Sequence, residues 1–426
     1  MRIGFRTSHG LAAMLCSVTA LAYPMAPAAA QSFSTLYRFC SKVNCIDGGN
    51  PLQSPLIPDG AGNFFGTAQN GGANSGGTMY ELIAGTKYKK LFDFAGNVSP
   101  RGPLVRDAAG NLYGIEGTGN TGAGGIYKLH PNAKLTKWSF ETLYTFCIGG
   151  GSCPDGQAPV ELTYVGAASG SPYDGKAPLY GSTIFGGANG SGTVFALTRK
   201  KGSWQERVIY SFCSQPSCAD GMWPSYGLIA DASGNLYGTT SAGGGSAGEG
   251  VTFKLAPAAR KSWSESVLYS FCKDASCTDG GQPYGLVADG AGNLYGTTLV
   301  GGDAAGGFSG GVIYRLAPDG GNYQYARLYS FCQQPGCADG DGPQTAMVLD
   351  SSGTLYGTTA GDSRVFSFVP QTSTYRVLHS FCVKASCRDG VMPLSPLTLE
   401  ADGSLLGNTS SGGDALEGGT IFRVTP

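Results

Sequence analysis

Six pairs of cysteines recur along this chain, each pair separated by four or five residues: Cys40 with Cys45, Cys147 with Cys153, Cys213 with Cys218, Cys272 with Cys277, Cys332 with Cys337, and Cys382 with Cys387. Two thiols this close can share a metal ion, exchange disulfides or close a local bridge. A zinc site takes four ligands, from two such pairs or from one pair plus histidines. Beyond residue 30 the only histidines are His130 and His379. Redox exchange favours a C-x-x-C spacing, which does not occur at these pairs. An even set of local pairs fits six structural disulfides, each closing a short loop and contributing ~2 kcal/mol by constraining the unfolded chain. Disulfides of this kind place the chain in an oxidising compartment.

An Asp-Gly step follows every pair, at Asp47, Asp155, Asp220, Asp279, Asp339 and Asp389. The carboxylates could form a cation-binding ring. The alternative is a set of turns, each carboxylate capping its own loop, and the recurrence at equivalent positions favours the turns. Glycine-rich stretches such as GGANGSG at Gly186 lack the GK[ST] of a phosphate loop, so they are expected to be connections. Trp138, Trp204, Trp263 and Tyr323 each stand eight residues before a recurring Phe, a register that suits packing between repeats better than sugar stacking. Trp223 in DGMWP differs: it follows a cysteine pair where other repeats carry smaller residues, and it is the candidate ligand-binding residue. With histidine almost absent, no Ser-His-Asp or Cys-His nucleophile is expected. A pair of carboxylates acting on a glycosidic bond stays open as an alternative.

These residues are positioned by a repeat. The phrase NLYGTT at Asn235 and Asn293 has altered copies around Gly66, Gly114, Gly181, Gly357 and Gly407. A second phrase follows each copy, as GTMYEL at Gly77, GTVFAL at Gly192 or GTIFRV at Gly419. A third ends at Phe39, Phe94, Phe146, Phe212, Phe271, Phe331 and Phe381, just before each cysteine pair where one exists. A fourth apolar stretch with a D-x-x-G-N turn leads back into NLYGTT. All four phrases are short, β-branched or aromatic, and bounded by glycine, which is the pattern of strands. Seven units of four strands predict an all-β, seven-bladed β-propeller. The strand Ser32–Phe39 has no partners before it and GTIFRV has none after it, so the N-terminal strand is expected to close the last blade.

Arg2 and Arg6, the apolar run 11–23 and Ala28-Ala29-Ala30 read as a signal peptide over 1–30, with the propeller over 31–426. Cys16 falls inside that segment, and no later run is long and apolar enough to span a bilayer. Removing Arg2 and Arg6 from 28 basic residues leaves 26 against 29 acidic, so a nucleic-acid surface is not expected.

The succession of LYGTT, a GG loop, GTVF-L and LYSF over nearly all of residues 31–426 resembles the GloVer (gloeo/verruco) repeat of secreted bacterial proteins. The resemblance implies a propeller-like, exported protein and supplies no catalytic residue. Members typically carry C-terminal anchors, and none is visible before Pro426, so secretion or periplasmic residence is expected. The reading is a non-catalytic module that binds a glycan or protein ligand as a monomer, without cofactor or metal. A hydrolytic propeller enzyme and a purely structural extracellular module are the alternatives.

Overall fold

The computed structural model describes residues 31–117, 122–245, 248–259, 262–274, 276–303, 310–413 and 416–426. The expected signal segment and Cys16 lie outside the described residues. The chain forms seven antiparallel sheets in a ring, six of them running in sequence order from axis to rim. Blade 1 is typical, with strands Ile57–Pro58, Phe64–Ala68, Thr78–Ile83 and Lys87–Asp93. Blade 5 differs by splitting its innermost strand into Gly281–Pro283 and Val287–Ala288. In blade 7 the rim strand is Ser32–Arg38, which pairs with Thr420–Thr425. The closure expected between the two ends of the chain is therefore present. Among the described residues no helix is long and apolar enough to cross a membrane.

The repeated glycines and aromatics interlock. Gly66 of NFFGT pairs directly with Tyr80 of the third strand. A Cβ on Gly66 would lie 2.5 Å from the Tyr80 hydroxyl oxygen, so the ring can cross the strand only over glycine. The same holds for Gly296 under Tyr314 and Gly357 under Phe366. Each such ring then receives the edge of the Phe that ends the preceding rim strand. Phe39–Tyr80, Phe146–Phe195, Phe271–Tyr314 and Phe381–Phe422 meet with centroids 4.9 to 5.3 Å apart. Edge contacts of this kind add about 0.5–1.5 kcal/mol each beyond burial. Trp138, Trp204 and Trp263 pack on Phe65, Tyr113 and Tyr180 of the preceding blade, the interblade role expected of them.

A third interlock joins the innermost strand to the blade before it. Pro100, Pro159, Pro224, Pro283 and Pro51 rest on Gly77, Gly124, Gly192, Gly250 and Gly419, the glycines that open the third strands. A side chain on Gly250 would meet the Thr240 carbonyl oxygen and approach Pro283 Cδ to 2.8 Å, with φ at +95° besides.

Candidate binding face and axial channel

One end of the ring carries the cysteine loops together with the loops between second and third strands. All six local pairs are disulfides: Cys40 is bonded to Cys45, Cys147 to Cys153 and Cys213 to Cys218. In the same way Cys272 is bonded to Cys277, Cys332 to Cys337 and Cys382 to Cys387. Their Cα atoms lie 4.0 to 4.6 Å apart. Each clasp closes the connection between a rim strand and the innermost strand of the next blade, and in five of the six the second cysteine also anchors that blade's loop. Gly72 N donates to Cys45 O at 3.0 Å, Gly187 N to Cys153 O at 2.9 Å, Gly244 N to Cys218 O at 2.9 Å, and Gly302 N to Cys277 O at 3.1 Å. Gly413 N donates to Cys387 O at 3.0 Å in the last copy. Cys337 O, like the corresponding oxygens of the other five clasps, accepts from the glycine of its own turn, Gly340 N at 2.8 Å.

The aspartates after the clasps are caps. Asp220 accepts hydrogen bonds from Ser214 N, Ser214 Oγ, Gln215 N and the Tyr210 hydroxyl at 2.7 to 3.2 Å. Burial works to raise its pKa, but these donors outweigh it and hold Asp220 below the ordinary carboxylate range. Asp47 and Asp279 make the corresponding bonds to Tyr37 and Tyr269. At the last clasp His379 stands in the tyrosine's place, 3.4 Å from Asp389. Among the described residues no group of three or more His, Cys, Asp or Glu side chains could hold a metal ion.

Trp223 sits at a position the fold repeats seven times, which the sequence comparison of loops did not reveal. Its counterparts before each inner proline are Asn50, Ser99, Ala158, Gln282, Gly342 and Met392. All are left-handed, with φ between 51° and 60°. This conformation is strained for a bulky side chain and doubly so before proline. Hydrogen bonds impose it. Trp223 N donates to Ser191 O at 2.9 Å, and Trp223 O accepts from Ser241 N, Ser225 Oγ and Ser241 Oγ at 3.0 to 3.1 Å. The pinned backbone holds the indole 39% exposed, with its ring 6.5 Å from Phe185 of the preceding blade in an edge-on pair. Met392 is exposed at the equivalent place in blade 7. Trp223 is therefore one large residue at a display position of varying side chain, rather than an aromatic inserted into an irregular loop. Of the ten large apolar side chains exposed among the described residues, Val43, Ile46, Ile148, Phe185, Trp223, Val383, Met392 and Leu416 lie on this face; Leu135 and Val165 lie at the opposite end.

The axis of the ring is a narrow cavity of about 50 Å³, to which every blade contributes, including Gln53, Gly102, Glu161, Tyr226, Gly285, Gln344 and Leu394. Glu161 is the single carboxylate among the lining residues. It precedes the core leucine of its inner strand, where the other blades place Pro55, Pro103, Gly227, Gly285, Ala346 and Pro396 before a leucine or methionine. Burial raises its pKa to about 7. The neighbouring Gly227 has no room for a side chain, because a Cβ there would overlap the Glu161 carboxylate. Sequence reasoning passed over Glu161; aligning the seven inner strands on that core residue exposes it as the lone charged side chain at its position.

The sequence profile of the Gloeobacter/Verrucomicrobia repeat matches residues 21–175, 163–364 and 264–426. The chain belongs to the Gloeobacter/Verrucomicrobia repeat family. No curated protein sequence matches it. Among solved structures, it is similar to a catalytically inactive virginiamycin B lyase from Staphylococcus aureus, crystallised with quinupristin. That similarity has a TM-score of 0.57 and 12% identity, over 93% of this chain and 99% of the other. A streptogramin B lyase structure is similar with a TM-score of 0.56 and 14% identity, over 92% of this chain and 97% of the other. Likeness at this level of identity shows a common fold and does not carry an activity across.

Proposed function

We propose that this family member is an exported, non-catalytic binding module that holds a glycan on its clasp-bearing face. The observation that carries the reading is Trp223: an exposed indole on a backbone pinned in a left-handed conformation, edge-on to Phe185, with the Ser225 and Ser241 hydroxyls bonded to its main-chain oxygen. A rigid aromatic plate with neighbouring hydroxyl groups suits a sugar ring, whose C–H face stacks while its hydroxyls find partners. Because the plate is fixed before binding, little side-chain entropy is lost on association. Two-carboxylate hydrolysis needs a second carboxylate about 5–9 Å from the first, whereas Glu161 is alone among the residues lining the channel. The disulfides support an oxidising location, with the module acting as a monomer.

The test is retention on a panel of insoluble polysaccharides, with release of reducing ends followed in parallel. Wild type is expected to be retained by at least one polysaccharide without releasing sugar, and Trp223→Ala to lose about ten-fold or more in affinity at an unchanged melting temperature. Equal retention of Trp223→Ala, or turnover, would overturn the proposal. Retention by a protein ligand alone would replace the glycan with a surface partner.

A further inference from the structure

We propose that a cavity between blades 6 and 7 is a binding site for a small aromatic acid, its ring in the place of a missing rim tryptophan and its acid group on Arg376. A break in the repeat creates the space. Trp138, Trp204, Trp263 and Tyr323 each stand eight residues before the Phe that ends their rim strand, and each packs on the preceding blade. Counted back from Phe39, the same place in blade 7 belongs to Gln31. The strand register agrees. Trp263 pairs with Pro257 of its third strand, Trp138 with Pro131 and Tyr323 with Pro318. Ser32 pairs with Thr425, which brings Gln31 beside Pro426, the matching proline. Gln31 turns its amide to Leu378 O, and a cavity of about 500 Å³ lies where the other blades place a ring, bordered by Gln31 and Pro426.

Blades 1 and 6 also lack the ring, with Thr86 and Ser373 at its place, but there the preceding blade supplies an arginine. Arg423, opposite Leu406, reaches across to Gly85 O of blade 1. Arg315 stands opposite Tyr295 of blade 5. In blade 6 the corresponding residue, opposite Tyr356, is only Ser367, so the interface with blade 7 has neither filler.

The polar groups of this cavity are uncommitted. Arg376 lies opposite Ser367 on the same face of the sheet. In blade 1 the equivalent residues are Glu81 and Lys89, an ion pair at 3.6 Å. With serine in the place of glutamate, Arg376 has no ion pair among the described residues. The hydroxyl of Ser367, a buried residue, likewise has no hydrogen-bond partner among the described residues. The Thr372 and Thr374 hydroxyls bond each other at 2.8 Å and are not counted as donors to a ligand. No lining side chain is acidic, and Tyr356, Val369 and Leu378 supply apolar walls. Arg376 is exposed, so the cavity opens to solvent beside the guanidinium. Small-molecule sites commonly enclose about 300–1,000 Å³ between apolar walls with a few placed polar groups. A guanidinium recognises a carboxylate through two parallel hydrogen bonds. An aromatic ring carrying a carboxylate uses both the walls and Arg376, whereas a bare ring or a bare carboxylate uses one of them.

The probe is indole-3-acetate, which returns an indole to the position Gln31 holds and brings a carboxylate to Arg376. Indole and acetate, each tested alone, carry one half of the recognition. Binding to the purified chain is measured by ligand-observed NMR and titration calorimetry. Indole-3-acetate is expected to bind with Kd on the order of 1 mM or below, the affinity a ligand of this size reaches at modest efficiency. Arg376→Gln is expected to weaken it about ten-fold, the loss of a charged hydrogen-bonded pair, while leaving indole unaffected. Gln31→Trp is expected to fill the cavity from within, abolish binding and raise the melting temperature. No binding of indole-3-acetate, or unchanged binding in either variant, would overturn the proposal. Trp223→Ala is expected to bind the probe as wild type does, so this site and the glycan face stand or fall separately; loss of binding in Trp223→Ala would move the probe to the clasp face and also overturn the proposal.

Discussion

Glu206 and Glu265 make the stability of this propeller depend on pH. Their strand position pairs with the core Leu197 and Leu255 of the third strands. In blades 1, 5 and 6 the same position holds Tyr88, Tyr325 and Tyr375. These donate their hydroxyls to the main-chain oxygens of the clasp aspartates Asp47, Asp279 and Asp339. Glu206 Oε1 and Glu265 Oε1 are instead buried without a hydrogen-bond partner, so each carboxyl group is better tolerated protonated than ionised. Burial, followed by the charge of Asp155, pushes Glu206 up to about 8; burial, followed by Asp220, pushes Glu265 up to about 7. Unfolded glutamate titrates near 4.3. Between that value and about 8 the folded chain keeps a proton on Glu206 that the unfolded chain releases. Stability from this residue is therefore full below about pH 4 and is lost as pH rises through 8. The full shift would correspond to about 5 kcal/mol at 1.36 kcal/mol per pH unit. Partial exposure of the side chain reduces this to on the order of 1–2 kcal/mol.

Glu206→Gln is neutral at every pH. It is expected to match wild type at pH 5 and to exceed it at pH 8 by about 1–2 kcal/mol. With an unfolding entropy of about 2.1 cal/mol/K per residue, that is roughly 1–3 °C in melting temperature for a chain of this size. Scanning calorimetry of both proteins from pH 5 to pH 9 reads the difference directly. A difference that is flat with pH, or a wild type that gains on the variant as pH rises, would refute the reasoning.

Other outcomes follow from the same contacts. Removing residues 32–38 takes away the rim strand of blade 7, including Phe33 stacked on His379 and Tyr37 stacked on Tyr88. A sharp fall in melting temperature is expected, and an unchanged melting curve would remove the closure. Thiol titration of the denatured, unreduced protein should find almost no free cysteine after export, and near-stoichiometric thiol would contradict the clasps. Gly250→Ala places a methyl group against Thr240 O and Pro283 at a positive φ. It should destabilise by about 1–3 kcal/mol, measured by urea unfolding, and a neutral effect would argue against the proline–glycine interlock.

Much of the architecture was legible because every repeat restates it. Gly238 and Phe253 hold fixed places within the phrases LYGTT and GVTFKL, and glycine under a ring is a local requirement that seven copies preserve in type. The clasps were legible for a similar reason, since four or five intervening residues leave a cysteine pair little choice of partner once export is granted. The site was less legible. Trp223 was visible as a large residue in a loop, but its left-handed backbone, its contact with Phe185 and its equivalence to Met392 depend on neighbouring blades. Glu161 looked like any strand glutamate in PVELT, because its carboxylate is covered by Gly227 of the next blade.

The sequence by itself determined the strand periodicity, the number of units and the local disulfides, since each rests on residues within one repeat. Only the tertiary structure decided which carboxyl groups leave water. Asp220 gains four hydrogen-bond donors, whereas Glu161 and Glu206 lose solvent without equivalent compensation. Desolvation is a property of the whole ring, and seven individually ordinary repeats create it only once the ring is closed.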